Sequence, residues 1–259
     1  MPEHMPLADV GTVSSFVADR VADVAFGHPK SNSLPSTVLS ALAKEIADVG
    51  ARDDVRVIVL RSYGTGPFCA GASFDELTAI ADEAAGKEFF MGFARVILAM
   101  TRCPKPIVTR VQGKVVGGGV GLVAASDYVL AVDKASLRLS ELAVGIGPFV
   151  VGPVIEHKIG VGAFGAMAID ADWRDAQWGE QRGLYAKLFP AVAGLDSAME
   201  TFPKTLADSN PEALARIKQI VWAGTDGWPS LLEERAAMSG KLVLSEYTRS
   251  AISKFKSSR

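Results

Sequence analysis

Apolar positions recur along the first two thirds of the chain in two alternating rhythms. The segment "SSFVADRVADVAFGHP" is rich in Val and Phe with partial alternation, which predicts two short strands or a hairpin. In "SLPSTVLSALAKEIADVG", Val38, Leu39, Leu42, Ile46 and Val49 fall at helical spacing, with Ser33 as N-cap and Gly50 as stop. Val55 to Leu60, "VRVIVL", has the pattern of a buried strand. The turn "SYGTGPFCAGASFDEL" follows, with a strand ending near Phe68. After it comes a helix marked by Phe89, Phe90, Phe93, Val96, Ile97 and Met100. This unit of strand, glycine-bearing turn and helix recurs as "KPIVTRVQG", "GGGVG" and "LVAAS". A third copy runs from "DYVLAV" through "SLRLSELAVGIG" into an apolar helix around Val150 to Ile159, giving a structural period of about 50 residues.

Such alternation predicts an α/β domain with mainly parallel pairing and buried strands. Beyond "GLYAKLFP" the strand patterns stop, and from Ser197 onward the chain reads as helical. The expected boundary lies near residue 196, with a core over 1–196 and a helical region over 197–259 that packs on the core or on a neighbouring subunit.

Composition narrows the partners. With 259 residues, 49% of them hydrophobic, the chain can bury a large core as one domain or one with a small appendage. A net charge of −2, with acids and bases interleaved, leaves no electrostatic footprint for nucleic acid or an acidic membrane surface. The two cysteines, Cys69 and Cys103, form no CxxC and no cluster with histidine, so neither a disulfide framework nor a zinc site is indicated. A reducing cytoplasm fits. "MPEHMPLADV" has no basic flank with an apolar core, and the longest uncharged run, Leu142 to Ile155, is shorter than the roughly 18 residues of a membrane span.

The chemistry is carried by two turns. "VVGGGVGL", Val115 to Leu122, holds four glycines where a helix should start, and each glycine inside a helix costs about 1 kcal/mol relative to alanine. In "FCAGASFDEL" the small residues Ala70, Gly71 and Ala72 precede a helix opened by Ser73, Asp75 and Glu76. Both turns follow a strand and present helix N-terminal amides, which carry partial positive charge. Glycine lets a ligand approach such amides closely. Two amides converging on one oxygen make an oxyanion hole, worth roughly 3–4 kcal/mol per donor in the transition state. Either motif alone more often reflects close helix–strand packing; the ordered pair points to function. Neither turn is a phosphate cradle, since neither contains GxGxxG or GxxxxGK[ST].

With "HPKSNSLP", "FCAGASFDEL", "KPIVTRVQGKVVGGGVGLVAASDYVLA", "ASLRLSELAVGIGP" and "GLYAKLF", the chain resembles the crotonase superfamily of enoyl-CoA hydratases and isomerases over most of its length. The resemblance implies a superhelix of ββα turns with two nearly perpendicular sheets and a C-terminal helical region used in trimers or dimers of trimers. It implies that the amides of Ala72 and Gly118 hold the thioester oxygen of an acyl-CoA. Ala70, Gly71 and Gly117 are counted with the substrate-binding residues, and Lys30 and the terminal "SKFKSS" resemble positions that meet the CoA moiety, with Lys254, Phe255 and Lys256 reaching toward a neighbouring subunit's ligand. Coenzyme A arrives as part of the substrate, so no separate cofactor is implied. A role in fatty acid metabolism is expected.

The family supplies proton carriers at two glutamate positions. In this chain the first is Gly121, counted with the substrate-binding residues, and the second is Glu141. A hydratase uses both carboxylates on one water, whereas an isomerase can move a proton with one. The missing acid, and "GIGPF" at Gly145 to Phe149, therefore favour an enoyl-CoA isomerase. A hydratase is the alternative, and a non-catalytic acyl-CoA-binding protein the further one. Phe149, Val150 and Phe89 are candidates for the acyl tunnel. His4, His28 and His157 lie in no motif, which argues against a Ser-His-Asp hydrolase. Cys69 reads as a small core residue.

Overall fold

Asp19 and Arg20, with φ of 50° and 62°, make the two-residue turn that joins β1 (Thr12–Ala18) to β2 (Val21–Gly27) as an antiparallel hairpin. Positive φ at both turn positions matches the right-handed twist of the strands. The computed structural model describes residues 9–257, of which the last three are described by backbone alone. His4 and the side chains of Phe255 and Lys256 thus lie outside the described residues. After the hairpin come α1 (Ser36–Gly50), β3 (Val57–Ser62), α2 (Phe74–Ala79), α3 (Glu83–Arg102), β4 (Ile107–Val111), β5 (Val115–Val116), α4 (Gly118–Ala125), β6 (Tyr128–Val132) and β7 (Leu137–Arg138). A 3-10 turn at Leu142–Val144 leads to α5 (Gly152–Asp170), α6 (Ala176–Gln181) and β8 (Lys187–Phe189). The chain ends in α7 (Val192–Ala207), α8 (Pro211–Val221), α9 (Trp228–Leu242) and α10 (Glu246–Ser257).

The main sheet has the order β1-β2-β3-β4-β6-β8 and is parallel from β2 onward. Val57, Ile58, Val59 and Leu60 are all buried, so both faces of β3 are covered, as a parallel sheet requires. Helix α1 packs on β1, β2 and β3, while α7 runs across β2, β3, β4, β6 and β8. A second, two-stranded sheet pairs β5 with β7 in parallel. Single bridges from Cys69 to Val115 and from Leu34 to Ala72 extend this small sheet toward the loops that build the site.

Several boundaries differ from the sequence reading. Helix α1 starts at Ser36 behind Pro35, and Ser33 bonds to His28 Nδ1 at 3.0 Å instead of capping it. The strand expected to end near Phe68 ends at Ser62, and Phe68 and Cys69 reach the small sheet by the isolated bridge. Three of the glycines of "GGGVG" belong to α4 itself. The 50-residue period holds between β3 and β4, which begin at Val57 and Ile107, but β6 begins already at Tyr128 because α4 has only 8 residues. Residue 196 falls inside α7, whose Leu195 and Met199 sit in the main core.

The C-terminal helices hold the site from behind. Helix α9 crosses α3 where a β-carbon on Gly86 would come within 2.7 Å of Gly240 Cα. Thr248 of α10, fully buried, donates from Oγ1 to the carbonyl of Gly145 at 2.9 Å. That bond fixes the loop that carries Glu141.

Candidate active site

The Ala70–Ala72 turn and the start of α4 border one cavity of about 740 Å³. The first turn is fixed by its neighbour chain on both sides: Leu34 N–H donates to Gly71 O at 2.8 Å, and Ser73 N–H donates to Leu34 O at 3.1 Å. These bonds use the Gly71 carbonyl and the Ser73 N–H, on either side of Ala72. The Ala72 N–H itself has no protein acceptor among the described residues. Ser73 then caps α2 by accepting from Glu76 N–H. The second turn is built likewise: Val116 N–H donates to Cys69 O at 2.9 Å and Gly117 N–H to Arg138 O at 2.8 Å. Gly117 turns the chain with φ of 53°, in the region that disfavours side chains. Gly118 follows as the first residue of α4, with its amide also unused among the described residues.

The remaining glycines answer to packing. A β-carbon on Gly118 would run into the Phe93 ring, and one on Gly119 would lie 2.7 Å from Cys69 Cβ. Helix α4 is thus pressed against α3 and the first turn, and its N-terminal amides are brought to the cavity.

Glu141 lies directly across from this turn. Its Oε1 is 3.1 Å from where a β-carbon on Gly117 would stand. The residue as a whole is half-buried, but Oε2 is sealed and has no hydrogen-bond partner among the described residues. Burial pushes its carboxyl up to about 7, with the amides of Glu141 and Ser140 pulling partly the other way. A carboxyl so placed is half-ionised near neutrality, as a proton carrier should be.

Of the other anticipated site residues, Lys30, Ala70, Gly71, Gly117, Phe149 and Val150 line the cavity. Lys30 forms an ion pair with Asp75 at the exposed rim. The loop before α1 is held by buried Asn32, which donates from Nδ2 to Tyr63 O at 2.8 Å and to Pro67 O at 3.0 Å. Glu76 accepts from the Ser36 amide at 2.8 Å and so ties α2 to α1.

Two assignments change. Gly121 does not line the cavity; a β-carbon on it would run into Val151, and Val151 lines the wall in its place. Phe89 is buried with Leu77, Ile146, Val243 and Ile252, and Phe90 lines the cavity instead. Arg138, Ser140 and Trp173 also line it, and none of them stood out in the sequence. The alternation of apolar and polar residues in "ASLRLS", Ala135 to Ser140, was the available signal for Arg138 and Ser140.

The other reactive side chains are occupied. The Cys69 thiol is pushed by burial up to about 12, so it stays protonated. His157 stacks on Trp222 and bonds Val221 O at 2.8 Å. His28 is buried, with its Nδ1 bound by Lys30 N–H at 3.2 Å.

Known proteins resemble this chain in sequence and fold. Residues 17–257 match the family model described as enoyl-CoA hydratase/isomerase. A (7aS)-7a-methyl-1,5-dioxo-2,3,5,6,7,7a-hexahydro-1H-indene-carboxyl-CoA hydrolase of Rhodococcus jostii is 32% identical over 153 residues, covering 58% of this chain and 59% of that protein. The match to the corresponding Mycobacterium tuberculosis hydrolase covers 62% of its length, so the similarity spans about three fifths of these relatives. Carnitinyl-CoA dehydratase of Proteus mirabilis is 24% identical over 263 residues, covering 95% and 97%. The crystal structure of an enoyl-CoA hydratase from Bacillus halodurans superimposes with a TM-score of 0.86 at 16% identity, covering 93% and 99% of the two chains. Fold, paired turns and family model agree: the chain belongs to the enoyl-CoA hydratase/isomerase family, with the mixed α/β fold of the crotonases and a helical C-terminal region.

Proposed function

We propose that this chain is an acyl-CoA isomerase that moves a double bond from the 3,4 to the 2,3 position with Glu141 as its single proton carrier. The observation that carries the reading is the placement of the Glu141 carboxyl, with its Oε2 sealed, beside Gly117 at the start of α4, with Val151 filling the space next to Gly121. In the reaction, the Glu141 carboxylate removes a proton from C2. The C–H electron pair moves into the C2–C1 bond and onto the thioester oxygen, where the Ala72 and Gly118 amides stabilise the negative charge. The pair then returns through C2=C3, the former C3=C4 electrons take the proton at C4 from the Glu141 carboxylic acid, and the carbonyl reforms. One proton leaves and one returns, so the glutamate ends as it began. The apolar wall of Ile146, Phe149, Val150 and Val151 keeps water from competing.

The names of the relatives favour a second reading in which water takes part, as hydratase, dehydratase or hydrolase. Purified protein supplied with 3-hexenoyl-CoA and, separately, with 2-hexenoyl-CoA discriminates the two. The isomerase reading expects conversion of the first to the conjugated thioester and little 3-hydroxyacyl-CoA from the second. Rapid hydration with the 3-enoyl ester untouched overturns it. Homo-oligomerisation belongs to the same proposal, because Ile217, Ile220 and Val221 form an exposed apolar face on α8. Among the described residues no helix is long and apolar enough to cross a membrane.

A further inference from the structure

Strand β7 gives the cavity a cation for which the proton transfer has no use. In the small sheet Val115 pairs with Leu137 and Val116 with Arg138. Val115 and Leu137 are fully buried, whereas Val116, Arg138 and, two residues on, Ser140 line the cavity, as the period of a strand demands. Arg138 Nε donates to Ala171 O at 2.6 Å, which sets the plane of the guanidinium. Its Cζ lies 5.9 Å from the centre of the Trp173 ring, and Lys114 Nζ lies 5.1 Å from the same ring. The half-buried arginines of the main sheet each have an acid, Arg61 with Asp23 and Arg110 with Asp196. Arg174, close by, has Asp170. Arg138 has no ion-pair partner among the described residues, only a carbonyl and an indole. Its terminal nitrogens are left for something that enters the cavity.

The position of Arg138 decides which part of a ligand that is. Its carbonyl accepts from Gly117 N–H, so it flanks the Gly118 side of the oxygen site, together with Glu141. Lys30 and Ser31 flank the opposite side, where Ala70 N–H donates to Ser31 O at 3.2 Å. With Lys30 meeting the CoA moiety, as the family resemblance implies, and on the reading of Glu141 given under Proposed function, the acyl group runs past Glu141 toward Arg138. We propose that Arg138, seated between Ala171 and Trp173, binds a carboxylate at the far end of the acyl group, so that the substrates are CoA monoesters of dicarboxylic acids. A fixed guanidinium offers two parallel N–H donors to a carboxylate, and the apolar surroundings strengthen the pair. The indole of Trp173 provides a flat wall for the acyl segment before the carboxylate.

Binding tests the assignment independently of turnover. Adipoyl-CoA, hexanoyl-CoA and free CoA are titrated calorimetrically into wild type, Arg138→Met and Arg138→Lys. Wild type should bind adipoyl-CoA at least tenfold more tightly than hexanoyl-CoA. Arg138→Met should abolish that preference while leaving hexanoyl-CoA affinity within twofold, which also shows the variant to be folded. Arg138→Lys should keep a reduced preference. Equal wild-type affinities for the two esters overturn the Arg138 proposal while leaving the acyl-CoA reading intact. Loss of free-CoA binding in Arg138→Met overturns it too, by assigning the arginine to CoA phosphates. Failure of wild type to bind any of the three removes both proposals.

Discussion

A β-carbon on Gly121 would stand 2.6 Å from Cγ1 of Val151 at the N-cap of α5. Carbon atoms do not approach so closely, so the valine occupies the volume into which any side chain at 121 would project. The absence of an acid there is therefore built into two elements. Gly121→Glu alone should overpack the α4–α5 contact and destabilise the fold by about 1–3 kcal/mol, without gain in water addition. Pairing it with Val151→Ala should restore much of that stability and raise hydration of 2-hexenoyl-CoA relative to isomerisation of the 3-enoyl ester. Thermal melts and product ratios of the single and double variants measure this. A single variant that melts like wild type would show that Val151 does not hold the space.

Glu141 should impose a pH profile on the reaction. Its carboxyl, normally near 4.5, is pushed by burial to about 7, and it must be ionised to take the first proton. Below that value kcat/KM should rise about tenfold per pH unit, and above it the rate should level off. The same shift affects stability with a definite sign. A group with a raised folded-state value stabilises the fold fully below its unfolded value, and that contribution is lost as pH climbs through the folded one. Each pH unit between the two is worth ~1.4 kcal/mol, so ionising Glu141 costs the fold about 3 kcal/mol above neutrality. Glu141→Gln should hence lose at least 10²-fold in turnover and yet, at pH 8, melt higher than wild type. At pH 4 the difference should vanish. A variant less stable than wild type at pH 8 contradicts the sealed, unpartnered carboxylate.

The sequence was most legible where local rules decide the outcome. The helical spacing of Val38, Leu39, Leu42, Ile46 and Val49 and the cap at Ser73 both appear as read, because each depends on residues within one or two turns. What escaped depends on contacts between distant segments. Val151 replaces Gly121 in the cavity wall because α5 packs on α4. Phe90 rather than Phe89 lines the cavity because the direction of α3 is set by its packing on α1 and α9, and both phenylalanines fit a helical apolar pattern. Arg138 lay in "SLRLSELAVGIG", read as leading into a helix; it lines the cavity because β7 pairs with β5 and sets Arg138 opposite Val116.

Assembly should follow from α8. Ile217 and Ile220 are 58% and 74% exposed, and with Val221 they make one apolar face at spacings of three and four residues. Tyr247 on α10, 75% exposed, and Val161 and Ile169 on α5 add further uncovered apolar surface. Light scattering should give a trimer or hexamer mass. Ile217→Asp with Ile220→Asp should shift it to smaller species, because neither side chain supports the core of its own chain. A wild-type monomer at micromolar concentration contradicts the assembly.

The oxyanion site should prove most sensitive at Gly118, where the space for a side chain is already taken by the Phe93 ring. Gly118→Val would displace that ring, tilt the start of α4 and move the amide away from the thioester oxygen. Removal of one such donor costs about 10²–10³ in kcat, and the variant should fall by at least that much. Because the clash itself threatens folding, Gly118→Ala should be made in a Phe93→Leu background, which opens room beside the new methyl. Phe93→Leu alone should retain most of its turnover, since it leaves the glycine and its amide in place. If the double variant is folded and works at the rate of Phe93→Leu, the approach to the Gly118 amide is not needed, and the thioester oxygen must be held elsewhere. If it is folded, binds hexanoyl-CoA and is slowed a further 10²-fold, the loss lies in the transition state, where the negative charge on oxygen is greatest.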